Sequence, residues 1–113
     1  MTLAEKKCIP CEDNSIEPLS CDQVQEYFTE SAGELTNWKA NETCSRITSQ
    51  RMYPNFVQAM KFVNAVADLA ETAGHHPDIS VSYNRVDLDL WTHSIGGLSE
   101  NDFILAAQIN KLI

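Results

Sequence analysis

The 113-residue chain holds three histidines, His75, His76 and His93, and all of them fall in one stretch between positions 75 and 93. An unperturbed imidazole titrates near pH 6.5, roughly, so two of them can offer one proton donor and one acceptor at neutral pH. That combination suits an elimination of water. An acid protonates the departing hydroxyl while a base takes a proton from an adjoining nitrogen, with no electron or phosphate carrier involved. Glu71 lies four residues before His75, where a carboxylate at the end of a helix opposes the dipole and can orient an imidazole. Pro77 closes the run His75-His76-Pro77. Asp102 reads first as a helix cap, and Trp91 as filler of a subunit contact.

Periodicity names the elements that must position these residues. Pro54 suits the first turn of a helix in which Phe56, Met60, Val63, Ala67 and Ala70 recur at spacings of four and three, with Phe62, Val66 and Leu69 widening the stripe. Gly74 supplies a left-handed stop, and Pro77 prevents the helix from resuming. The period then changes to two. Ile79, Val81 and Tyr83 alternate with Asp78, Ser80 and Ser82, and Val86, Leu88 and Leu90 with Asp87, Asp89 and Trp91. With Asn84-Arg85 as a two-residue turn, Tyr83 faces Val86, Asp78 faces Trp91 and His76 faces His93, their Cβ atoms roughly 4.5–5.5 Å apart. His76 and His93 then share the polar face with Ser80, Asp87 and Asp89, opposite the face that helices cover.

Upstream, Ser20 and Gln23 make a capping box for a helix carrying Val24, Tyr27, Phe28 and Ser31, which Gly33 ends. The short mixed patterns between Leu35 and Tyr53 predict two half-buried strands joined near Asn41-Glu42. Downstream, Gly96-Gly97 makes a loop, and Ser99 with Asp102 caps a last helix over residues 100–112. Its Phe103, Ile104, Leu105, Ala106, Ala107, Ile109, Leu112 and Ile113 cover more than one face, which predicts burial on two sides, partly in a subunit interface. The order α-β-β-α-β-β-α predicts an α+β fold: a four-stranded antiparallel sheet with three helices packed on one face. Residues 1–18 lack any period and read as an amino-terminal arm before a single domain over residues 19–113.

Sixteen acidic against eight basic residues give a formal charge of -8, which opposes a phosphate backbone and excludes direct nucleic-acid binding as an expectation. No apolar run is long enough for a membrane span, and none follows the early lysines as a secretory signal requires, so a cytoplasmic location is expected. Cys8, Cys11, Cys21 and Cys44 are too few and too unevenly spaced to frame a secreted fold and are read as free thiols. A domain this small gains from burying apolar surface in a homo-oligomer. Histidines beside a glutamate are zinc-ligand types, which keeps a metal-dependent hydrolase as a rival. Adjacent His75 and His76 point in opposite directions when extended, however, and no His-Glu-x-x-His pattern occurs. Cys8-x-x-Cys11 is half a zinc site at best. The expectation is a site with neither metal nor cofactor, and no Walker, Gly-x-Gly-x-x-Gly or Gly-x-Ser-x-Gly sequence supports a nucleotide or serine-hydrolase reading.

Glu71-x-x-x-His75-His76-Pro77, followed by Tyr83, His93 and Asp102, resembles the signature of the pterin-4a-carbinolamine dehydratases, with every element at the family's spacing. The resemblance runs from about Leu19 to the carboxyl end and includes Trp38 before the first predicted strand. It implies the α+β fold above, dimers that pair into tetramers through helices, and dehydration of 4a-hydroxytetrahydrobiopterin to quinonoid dihydropterin, which recycles tetrahydrobiopterin. By position it implies that His75 and His93 transfer protons, that His76 binds the ring, and that Glu71 supports the cluster. In those relatives an aspartate commonly precedes the first histidine and an aromatic residue lies beyond the proline; Gly74 and Ile79 stand there in this chain. Some members also partner a homeodomain transcription factor, so a non-catalytic dimerisation module with a protein partner is the alternative.

Overall fold

A capped helix, two short strands, a long helix and a hairpin follow one another as the periods predict. The computed structural model describes Leu3, residues 17–31 and residues 33–112, so most of the expected arm, with Cys8 and Cys11, lies outside the described residues. The elements are α1 (Cys21–Glu30), β1 (Lys39–Ala40), β2 (Ile47–Met52), α2 (Phe56–Ala73), β3 (Asp78–Ser82), β4 (Arg85–Leu90) and α3 (Glu100–Asn110), with a short 3₁₀ turn at His93–Ile95. The four strands form one antiparallel sheet in the order β1-β2-β4-β3. Its inner face presents Ile47, Val86, Leu88 and Leu90, all fully buried. The α+β architecture is the one expected from the sequence.

The capping box of α1 forms as read: the Gln23 N–H donates to Ser20 Oγ at 3.2 Å, and the Ser20 N–H donates to Gln23 Oε1 at 2.9 Å. At the start of α2 the cap is Asn55, whose Oδ1 accepts from the Gln58 N–H at 2.9 Å, so Pro54 stands before the cap and not in the first turn. An asparagine side chain satisfies an orphan N–H that a proline there would leave open. The stripe of α2 that meets the core is Ala59, Phe62, Val66 and Ala70, while Phe56 is 48% exposed. Two adjacent apolar stripes share this helix, and periodicity cannot say which one the sheet will meet. Gly74 closes the helix at φ 67° as its left-handed cap.

The hairpin turns at Tyr83-Asn84, not Asn84-Arg85. Ser82 pairs with Arg85, Val81 with Val86 and Asp78 with Asp89. The register is thus shifted by two residues, which preserves which face each side chain takes but removes the opposition of His76 to His93. The cause lies outside the hairpin. The Tyr53 N–H donates to the Asn84 carbonyl at 2.9 Å, and Asn84 Nδ2 donates to the Tyr53 carbonyl at 2.8 Å, so the end of β2 clamps Asn84 into the turn. Tyr83 then adopts a left-handed φ of 52°.

Helix α3 needs no neighbouring subunit to cover it. Phe103, Ile104, Leu105, Ala106, Ala107 and Ile109 are at most 1% exposed within the single chain, which corrects the expectation that part of this helix faces a partner. Helix α1 supplies one covering side: the Tyr27 ring stacks on Phe103 at 4.5 Å and Phe28 meets it edge-on at 5.8 Å. The Tyr27 hydroxyl donates to Glu100 Oε2 at 2.9 Å. Burial, then the bond to Glu100 and its charge, pushes the Tyr27 hydroxyl up to about 12. The stability linked to this proton is present below about pH 10 and is lost as pH rises toward 12. An alkaline unfolding series should show that component in the native chain and not in Tyr27→Phe.

Cys21 and Cys44 are joined by a disulfide across 23 positions, which corrects the reading of both as free thiols. Spacing along the chain could not show it, because the pairing depends on the fold bringing the first residue of α1 to the β1–β2 loop, with the Cα atoms 5.2 Å apart. Closing a loop of this size stabilises the fold by about 3 kcal/mol on the chain-entropy model. Urea unfolding with and without a dithiol reductant should show a loss of that order, and Cys44→Ser should be insensitive to the reductant.

Candidate active site

The site is built at the open end of the hairpin, where α2, the start of β3, the loop after β4 and the first turn of α3 come together. His75 directly follows the Gly74 cap, and its side chain is 11% exposed. Its Nε2 lies 2.5 Å from Oδ1 of Asp102, a carboxylate that is 0% exposed. The other oxygen, Oδ2, accepts from Thr92 Oγ1 at 2.8 Å and from the Ser99 N–H at 3.0 Å. Thr92 has one hydroxyl proton and gives it to Asp102, so the Ser99 hydroxyl, 2.7 Å away, donates to Thr92. Asp102 therefore caps α3 and holds His75 at the same time. A carboxylate only accepts, which assigns the hydrogen of this bond to Nε2 and leaves Nδ1 of a neutral His75 with its lone pair free for chemistry.

His76 makes a different pair. Its Nε2 bonds to Glu71 Oε2, with side-chain exposures of 61% and 76%. Glu71 thus reaches the second histidine and not the first, because His75 turns inward toward α3. An exposed pair of this kind adds little stability. Pro77 precedes the first paired residue of β3, Asp78, in keeping with its missing N–H.

His93 opens the 3₁₀ turn inside a loop closed by the Thr92–Gly97 bridge, with the Thr92 N–H donating to the Gly97 carbonyl at 2.7 Å. A Cβ on Gly97 would lie 2.7 Å from Pro18 Cβ, so only glycine lets the chain before α1 pack against this loop. There the Leu19 N–H donates to the Leu98 carbonyl at 2.8 Å. The His93 side chain is exposed and its ring lies 4.0 Å from that of Trp91. The structure joins His75 and the His93 segment through Asp102 and Thr92, and does so without the strand pairing expected of His76. Tyr83 is not part of the site: it sits at the turn, at the far end of β3, and is 66% exposed.

Trp38 is buried before β1, and its Nε1 donates to Asn110 Oδ1 at 3.1 Å, while Asn110 Nδ2 donates to the carbonyls of Glu34 and Thr36. That cluster fixes the end of α3 opposite the one that carries Asp102. Sequence reasoning missed Thr92 and Asn110, and read Ser99 as a helix cap without its link to Thr92. Thr92 had a signal, since it extends the buried even-numbered series Val86, Leu88, Leu90, and a polar residue there needs a partner. Among the described residues no group of three or more His, Cys, Asp or Glu side chains is placed to hold a metal ion.

The family model for pterin 4 alpha carbinolamine dehydratase matches residues 17–112. A Rickettsia canadensis protein named for that activity is 41% identical over 111 residues, covering 98% of this chain and 97% of its own length. The mitochondrial pterin-4-alpha-carbinolamine dehydratase 2 of Arabidopsis thaliana is 43% identical over 112 residues, covering 97% of this chain and 58% of its own. The crystal structure of a transcriptional coactivator/pterin dehydratase from Brucella melitensis superposes with a TM-score of 0.75 at 30% identity, covering 84% of this chain and 97% of the other. The fold is thus that of a solved pterin dehydratase domain. The chain belongs to the pterin-4-alpha-carbinolamine dehydratase family and is an enzyme of its hydro-lyase class.

Proposed function

We propose that this chain removes water from 4a-hydroxytetrahydrobiopterin, giving quinonoid dihydropterin, by histidine acid-base catalysis without a metal, and so recycles tetrahydrobiopterin. The observation that carries this reading is the buried Asp102–His75 pair, which orients one imidazole with a free nitrogen. In the reaction a base takes the proton from the ring nitrogen beside the carbinol carbon, a carbon–nitrogen double bond forms, and the carbon–oxygen bond breaks as an acid protonates the hydroxyl to water. His75 and His93 are the proton-transfer residues, and exposed His76, steadied by Glu71, binds the ring. Pro77 holds the two histidines outside the β3 ladder, and Asp102 is the orienting carboxylate. Water loss from chemically generated carbinolamine, followed by stopped assay with a chelator present, is expected to be accelerated; no acceleration over the uncatalysed rate sinks the reading, and loss of acceleration to the chelator revives the metal-dependent rival.

The same reading places the enzyme in the cytoplasm as a homo-oligomer, where the thiol reductants of that compartment set how much of the Cys21–Cys44 disulfide is present. Among the described residues no helix is long and apolar enough to cross a membrane. Met52, Phe56, Val57 and Tyr83 are 48–66% exposed and offer apolar surface for association. That surface, with the coactivator half of the Brucella protein's name, supports the second reading of a dimerisation module that works through a protein partner. Loss of activity in His75→Ala and His93→Ala with the oligomer intact rejects it.

A further inference from the structure

We infer that Trp91 is a positioning residue that holds the His93 imidazole in its working orientation, a role that rests on the proton-transfer reading of His93 above. The His93 side chain is exposed, and among the described residues its ring has one partner, the indole of Trp91, at 4.0 Å between centroids and 32° between planes. The backbone at His93 is fixed by the closed Thr92–Gly97 loop, but the loop does not choose the side-chain rotamer. Trp91 itself is anchored. Its Nε1 donates to Asp78 Oδ2 at 3.2 Å, and the Arg46 guanidinium carbon lies 5.6 Å from its ring centroid. Asp78 is the first residue of β3, two positions beyond His76, so this hydrogen bond ties the strand that follows His75-His76-Pro77 to the segment carrying His93. A flat indole held from β3 and from Arg46 gives the neighbouring imidazole a surface to lie on and removes competing rotamers.

Without that surface the imidazole would divide among about three staggered wells for χ1, each further split at χ2, so the productive fraction should fall roughly 3–10-fold. The test is a mutant cycle on the full chain. Trp91→Ala is expected to lower kcat about 3–10-fold with KM within about twofold, and Trp91→Phe, which keeps a ring there, to recover most of the loss. In a His93→Ala background Trp91→Ala should cost no further kcat, because its effect passes through His93. Independently of activity, the His93 ring protons should be shifted upfield by the indole, and Trp91→Ala should remove the shift. Additive losses in the cycle, an effect confined to KM, or His93 resonances unmoved by Trp91→Ala each overturn the inference. Full activity in His93→Ala, where the native chain shows the ring-current shift, means that the acid-base reading of His93 is what failed, and the positioning role falls with it.

Discussion

Asp102→Asn is expected to lower kcat about 100- to 10,000-fold while costing about 1 kcal/mol of stability. The separation follows from which donors face each oxygen of the carboxylate. The Ser99 N–H is backbone and cannot turn away, and Thr92 Oγ1 points at the same oxygen, so the amide oxygen of an asparagine must stay on that side. The amide NH₂ then faces His75 Nε2, which has to accept a hydrogen bond instead of donating one. The remaining hydrogen of a neutral imidazole moves to Nδ1, the nitrogen that was free to take a proton. The cap of α3 survives, so the fold does. Asp102→Ala removes both oxygens and leaves two buried donors without an acceptor, and it should cost about 2–4 kcal/mol as well as the activity. Steady-state kinetics beside urea unfolding separate the two variants. A Asp102→Asn enzyme within threefold or so of the native kcat would mean that the orientation of His75 has no part in the reaction.

The two adjacent histidines should respond in opposite ways. His75→Ala removes an imidazole that is nearly buried and leaves the Asp102 carboxylate short of one partner in a site with no exposure to water. It should reduce kcat about 100- to 10,000-fold and lower stability by about 2–3 kcal/mol. His76→Ala removes an exposed ring whose partner is an exposed glutamate, so stability should change by no more than about 0.5 kcal/mol. If His76 binds the pterin ring, its loss should raise KM about 10-fold and leave kcat within about the same factor. Kinetic constants of the two variants on one substrate preparation decide the matter. A larger kcat loss in His76→Ala than in His75→Ala would reverse the assignment.

Much of the architecture was legible because it follows from local signals. The capping pairs Ser20/Gln23 and Ser99/Asp102, the Gly74 cap and the change of period after Pro77 each depend on residues a few positions apart. The misreadings share one cause. Pro54 against Asn55 as the start of α2, and the Asn84-Arg85 against the Tyr83-Asn84 turn, were choices between neighbours with similar local merit. The Asn84 turn was settled by β2, thirty-odd positions upstream, through Tyr53. Helix α3 was correctly read as buried on more than one side, but what covers it is Tyr27 and Phe28 of the same chain.

For the site the division is similar. The sequence by itself determined that imidazoles and carboxylates recur at spacings that suit proton transfer, and that His93 lies near the end of the same hairpin as His75 and His76. Only the tertiary structure decided which carboxylate serves which imidazole. Glu71, close in sequence, takes the exposed His76, while Asp102, 27 positions away from His75, takes the buried one. The reason is burial. A histidine facing the core needs an acceptor that is also in the core, and only docking α3 against the sheet brings one there.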